Sequence, residues 1–196
     1  MDISRKLPDT YIVVDQVYTL NLAYNVVLKV LELMRDKDLD DLSKLRTALF
    51  LLLGDDVSKS LSIEEMDAVC EDLFEQFIAF DNEDEQVVRD IKGNIIPKEI
   101  IEKSKAQSDE EDDDQPLYDI MKDGEYIYAS FLQAYGIDLF EEQGKLHWYK
   151  FNALLVSLPS DTKFMEVLRI RAWKPSKGDS SEYKKQMRKQ QEIYRL

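Results

Sequence analysis

Apolar residues recur at intervals of three and four along most of this chain, and each run ends on a helix-stopping signal. That pattern constrains the fold more than any other feature. It places an apolar stripe on each of several helices, which must then pack against one another. The first run spans Asn21 to Met34. Leu22, Val26, Val30 and Leu33 form its stripe, and Val27, Leu31 and Met34 widen it, so this helix is expected to be buried on most of its surface. The second begins near Asp40, carries Leu42, Leu45, Leu49, Leu52 and Leu53, and stops at Gly54, which suits a left-handed C′ position. The third opens at Ser62 with Glu65 three residues on, the spacing of a capping box. Met66, Val69, Cys70, Leu73, Phe74, Phe77 and Ile78 form its stripe.

The pattern resumes in the C-terminal part. A helix from about Asp119 or Asp123 to Tyr135 stacks Ile127, Phe131 and Ala134, with Tyr128, Leu132 and Tyr135 on the adjoining strip, and Gly136 ends it. Leu146 to Leu158 sets Trp148, Phe151, Leu155 and Leu158 at spacings of three, four and three, before Pro159. Asp161 or Ser160 is expected to cap a short helix holding Phe164, Val167 and Leu168. Asp179 with Glu182 makes an acidic capping box for a last helix carrying Tyr183, Met187, Gln190 and Tyr194.

Two stretches depart from helical spacing. Thr10–Val14 and Val17–Leu20 are β-branched and aromatic around Asp15-Gln16, which reads as a β-hairpin with those two residues as its break. Ser108–Gln115 has no apolar residue and reads as a solvated, disordered acidic loop. Between Asp81 and that loop, Val87, Val88 and Ile91 suggest one short helical stretch, and Pro97 a turn. The expected fold is therefore mainly α, with a small N-terminal β-hairpin and an acidic loop between two helical parts. The expected divisions are 1–107, the loop 108–116, and an aromatic-rich part 117–196, with one core or two.

Charge narrows the function. Hydrophobic content of 44% argues against global disorder, and a net charge of −14 disfavours nucleic acid and anionic membrane as partners. The charge is uneven: residues 1–108 hold 13 Lys+Arg against 23 Asp+Glu, and residues 117–196 hold 13 against 11. Head-to-tail contact between copies, and docking of the C-terminal part on an acidic partner, both fit that asymmetry. No apolar run approaches the roughly 18 residues of a bilayer span, and the opening MDISRKLPDT shows no signal-peptide core. Cys70 has no second cysteine to pair with, which fits a reducing compartment.

Candidate chemistry is thin. Asp36-x-Asp38-x-Asp40 resembles the start of a calcium loop, but the sixth and twelfth positions are Asp41 and Thr47 where Gly and Glu are required, so a helix-capping acid cluster is the better reading. His147 has no companion for a zinc site or a proton relay and reads as packing or partner contact. Cys70 lies on an apolar stripe and reads as core. Lys174-Pro-Ser-Lys-Gly-Asp-Ser180 holds phosphate-loop letters in the wrong order, and Asp179 would repel phosphate. Residues 171–196 carry eight Lys+Arg against three acids, so a nucleic-acid-binding regulator is one reading and an exposed basic helix face the other. No catalytic, cofactor-binding or metal-ligating residue emerges, and an enzyme is not expected. The aromatics of 118–151 exceed what a short helical segment can bury, so they divide between core and an interaction surface.

Asp123-Gly-Glu-Tyr-Ile-Tyr-Ala-Ser-Phe-Leu-Gln133 with Tyr135-Gly-Ile-Asp-Leu139, Lys145-Leu-His-Trp148, Lys150-Phe-Asn-Ala-Leu154, Asp161-Thr-Lys-Phe164, and Ile170-Arg171 with Trp173-Lys174 are similar to a family of bacteriophage proteins named for a fifteenth phage gene product. Leu7-Pro8, the hairpin and the leucine-rich segment ending in Gly54 look like the same family's opening. The resemblance implies a tail assembly chaperone of siphophages and prophages. Such a protein binds the tape measure protein and helps recruit major tail (tube) subunits in the host cytoplasm, without catalysis. It is expected to leave before the virion matures. A structural tail or connector component of the virion is the alternative. Tyr126, Tyr128, Tyr135, Trp148, Tyr149, Trp173 and Lys174 are the expected partner-binding residues, and self-association along the client is compatible with the charge asymmetry.

Overall fold

The computed structural model describes residues 4–54, 57–79 and 117–196. The stretches expected at 87–91, at Pro97 and at 108–116 lie outside the described residues. Within them the fold is mainly α, as the spacing predicts: seven α-helices and one two-stranded antiparallel sheet. The chain forms two compact units. One takes the described residues of Met1–Phe80 together with Leu139–Val156. The other takes those of Asp81–Asp138 together with Ser157–Leu196. Leu139–Val156 thus folds with the N-terminal elements, although it follows the acidic run in sequence.

In the first unit, β1 (Thr10–Val13) pairs with β2 (Gln16–Thr19) through Thr10↔Thr19, Tyr11↔Tyr18, Ile12↔Val17 and Val13↔Gln16. The turn is Val14-Asp15, one residue earlier than the Asp15-Gln16 break expected from sequence. Both residues have positive φ, 45° and 61°, as a type I′ hairpin turn requires. A β-branched residue rarely adopts that conformation, which is why sequence points elsewhere.

Helix α1 (Tyr24–Arg35) starts three residues later than its apolar run suggests. Residues 21–23 are taken by other bonds: Asn21 N–H donates to the Leu52 carbonyl at 2.7 Å, and Ala23 bridges to His147. The buried face of α1 is centred on Tyr24, Val27 and Val30, while Met34 is exposed, so the burial is narrower than expected. Helix α2 (Asp41–Leu53) is capped by Asp40, whose carboxylate accepts from the Ser43 amide at 2.9 Å and the Ser43 hydroxyl at 2.6 Å. Gly54 closes it at φ +71°. After a 3-10 turn (Val57–Lys59), α3 (Ile63–Leu73) opens on the expected capping box. Glu65 N–H donates to Ser62 Oγ at 3.2 Å, and Ser62 N–H to Glu65 Oε2 at 2.7 Å. A π-helical turn, Phe74–Ile78, follows directly.

Helix α4 (Gly124–Tyr135) belongs to the second unit, and α5 (Trp148–Val156) to the first. Helices α6 (Lys163–Arg171) and α7 (Ser181–Ile193) complete the second unit. The cap of α6 is Thr162, not Asp161 or Ser160. Its hydroxyl turns away to the Pro159 carbonyl at 2.7 Å. The Phe164 amide is satisfied instead by Ser130 Oγ of α4 at 2.9 Å. A cap supplied by another helix leaves no local sequence signal. The cap of α7 is Ser180, which accepts from Tyr183 N–H at 3.1 Å, whereas Asp179 accepts from Ser176 N–H. An acidic capping box based on Asp179 is therefore not what forms.

Candidate functional site

The seven aromatic and basic residues expected to bind a partner are divided between the two units. Tyr126, Tyr128, Tyr135, Trp173 and Lys174 lie in the second, Trp148 and Tyr149 in the first. Trp148 is a core residue. It is 4% exposed, stacks on Phe151 with centroids 5.7 Å apart, and its indole N–H donates to the Ile78 carbonyl at 3.0 Å. It cannot serve as an anchor for a client without unfolding its surroundings. Tyr149 is half-buried, and its hydroxyl donates to the Gln76 carbonyl at 2.8 Å. These two donors meet carbonyls at the end of the π turn, where helix geometry leaves acceptors without intrahelical partners.

His147 sits just before α5 and acts as its cap. Its Nδ1 accepts from the Tyr149 amide at 3.1 Å, which places the proton of the neutral ring on Nε2. Burial, with Lys150 nearby, lowers its pKa below the ordinary imidazole value, against an opposing pull from Asp9. The backbone beside it is tied to the start of α1: Tyr24 N–H donates to Leu146 O at 2.9 Å, and Trp148 N–H to Leu22 O at 2.7 Å. The Tyr24 ring stacks on Phe151 with centroids 4.9 Å apart. His147 and Trp148 together fasten α5 into the first unit.

In the second unit the expected residues keep partial exposure. Tyr126 meets Tyr194 edge-on at 6.0 Å, and Tyr135 meets Phe131 at 5.7 Å. Tyr128 donates to Asp138 at 3.3 Å, and burial and that carboxylate both raise its pKa. Trp173 packs edge-on against Tyr183 at 5.9 Å, and Lys174 is exposed. Sequence reading missed the centre of this unit. Arg171 Nη1 and Nη2 donate to the two Asp123 oxygens at 2.7 and 2.8 Å, Nη1 also to the Leu117 carbonyl, and Nε to the Tyr194 carbonyl. Both side chains are buried, and one guanidinium thus joins the start of α4 to the ends of α6 and α7.

The most exposed apolar surface whose geometry is fixed by register is the outer face of the hairpin. Ile12 and Val17 stand directly opposite each other, 65% and 64% exposed, and Val14 at the turn is 68% exposed. Thr10 and Thr19 continue the same face. The opposite face is held down by Tyr11, which donates to Asp72 of α3 and meets Phe77 edge-on at 6.2 Å. Burial, with the Asp72 carboxylate, pushes the Tyr11 phenol up to about 12. The signal for this face was present in the alternation of the hairpin, but reading it depends on placing the turn at Val14-Asp15.

Among the described residues no group of three or more His, Cys, Asp or Glu is placed to hold a metal ion, and no helix is long and apolar enough to cross a membrane. Cys70 is buried, and burial, with the Asp67 charge, raises its thiol pKa to about 11. The bacteriophage Gp15 protein family matches over residues 3–196, nearly the whole chain. The chain belongs to that family. No curated protein and no solved structure matches it. The Gp15 assignment identifies a bacteriophage protein.

Proposed function

We propose that this Gp15-family chain is a non-enzymatic tail assembly chaperone. It would bind the tape measure protein and help recruit major tail subunits in the host cytoplasm, then leave before the virion matures. Family membership and the motif run from Asp123 to Lys174 support the phage setting. The observation that carries a binding role is the outward hairpin face. Ile12, Val14 and Val17 present an exposed apolar surface, which suits an extended, repetitive apolar client. The net charge of −14 keeps such a surface soluble. Client contact is thus proposed for the hairpin rather than for Trp148, with the half-exposed Tyr126, Tyr128 and Tyr135 as a second surface.

Co-expression with the tape measure and major tail proteins tests this. The wild-type chain should co-purify with at least one of them. The I12S/V17S variant, checked for native circular dichroism, should capture at least about tenfold less, given roughly 1 kcal/mol or more per exposed side chain buried. Absence of capture, capture unaffected by I12S/V17S, or normal tails from a phage lacking the gene would overturn it. Mass spectrometry finding the chain in purified particles would favour a structural tail component instead.

A further inference from the structure

We infer that copies of this chain join head to tail, the basic outer face of α7 on one copy seated against the acidic outer face of α3 on the next. Helix α7 has no buried residue. It lies on its own unit by one side: Tyr183 meets Trp173, Gln191 donates to the Arg171 and Trp173 carbonyls, and Tyr194 meets Tyr126. Helical spacing puts Lys185, Arg188 and Lys189 on the opposite side, and all three are exposed. None of them has a carboxylate partner among the described residues.

Helix α3 carries the complementary stripe. Glu64, Asp67 and Glu71 follow one another at spacings of three and four, all exposed, and Glu75 continues them in the π turn. Residues 60–79 contain six acids and no Lys or Arg. Like charges at these spacings disfavour the helix that carries them, so the α3 stripe, with no Lys or Arg beside it, costs its own copy stability that a basic stripe would return. Both stripes lie on helices of the same rise, Lys185, Arg188 and Lys189 within about one turn and Glu64, Asp67 and Glu71 over about two, so more than one ion pair can form at once. Because α3 and α7 are different surfaces, a single such contact leaves one stripe free on each copy, and a further copy seated on each free stripe extends it into a chain or a ring. Apolar client contact at the hairpin is not needed for it, so it stands or falls separately from the chaperone reading.

Exposed ion pairs are individually weak, so association is expected at high protein concentration and low salt. Sedimentation velocity and light scattering up to about 1 mM protein read it, since screening shortens from about 10 Å at 0.1 M salt to about 3 Å at 1 M. The wild type should self-associate at low salt and dissociate at 1 M. K185E/R188E/K189E and E64K/D67K/E71K, each confirmed folded by circular dichroism, should each stay monomeric alone. Mixed together they should associate again, because each supplies the stripe the other lacks. A wild type that is monomeric throughout, association unchanged by either reversal, or failure of the mixture to associate would overturn the inference. A monomer whose α7 instead binds DNA at low salt, lost in K185E/R188E/K189E, would overturn it in favour of a nucleic-acid partner.

Discussion

His147 shows how a residue that stands out in sequence can be structural. It is the only histidine, and its solitude already argued against a metal or proton-transfer site. The structure adds a reason for a histidine there: Nδ1 caps α5, and the ring is held neutral by burial and by Lys150. A base whose folded pKa lies below its unfolded value favours the unfolded state as it protonates. Stability from this residue is therefore complete above about pH 6.5, the ordinary imidazole value, and is lost as pH falls through the lower folded pKa. Urea denaturation between pH 7.5 and 5 should show that decline. His147→Asn keeps a capping acceptor and cannot titrate, so its profile should be flat over the same window. A wild-type profile already flat there would refute the assignment. Trp148 repeats the lesson, since its aromatic character was legible but its burial depended on the Ile78 carbonyl 70 residues away.

Elements were legible where their signals are local. Asp40, Gly54, Ser62 and Glu65 act within one helical turn, and the ends they mark agree with the structure. The start of α6 and the hairpin turn differ from the sequence expectation because what decides them is not local: Ser130 of another helix, and a Val14 held at positive φ. Replacing Val14 with Asn, which tolerates positive φ, should stabilise the chain by about 1 kcal/mol in urea denaturation, and an unchanged or lowered midpoint would show that Val14 is not strained. The Arg171–Asp123 pair was equally hidden, its partners being 48 residues apart. Arg171→Met leaves Asp123 buried and uncompensated, so thermal or urea unfolding should show a loss of about 3–5 kcal/mol. D123A/R171M should lose less than the two single variants summed, because the second change removes the stranded charge. Strict additivity would mean the two act independently.

At the scale of the whole molecule, helical spacing predicts the fold class but not the path of the chain between its two units. A boundary at the acidic run assumes that sequence neighbours share a core. Leu139–Val156 breaks that assumption, since it supplies Phe151 to stack on Tyr24 and Trp148 to meet Ile78. The Asn25 side chain accepts from Gly144 N–H at 2.8 Å as well, so polar and apolar contacts both require this segment. A fragment of residues 1–107 lacks it. Burying Trp148, Phe151 and Leu155 is worth several kcal/mol, on the order of 2 for each large apolar side chain, which is a large share of a small domain's stability. The fragment alone should therefore unfold without a cooperative transition and with poor amide dispersion in its NMR spectrum. Adding a peptide of residues 139–156, or co-expressing residues 117–196, should restore both. If 1–107 alone melts as sharply as the intact chain, α5 is dispensable to the first unit and the acidic run is a true boundary.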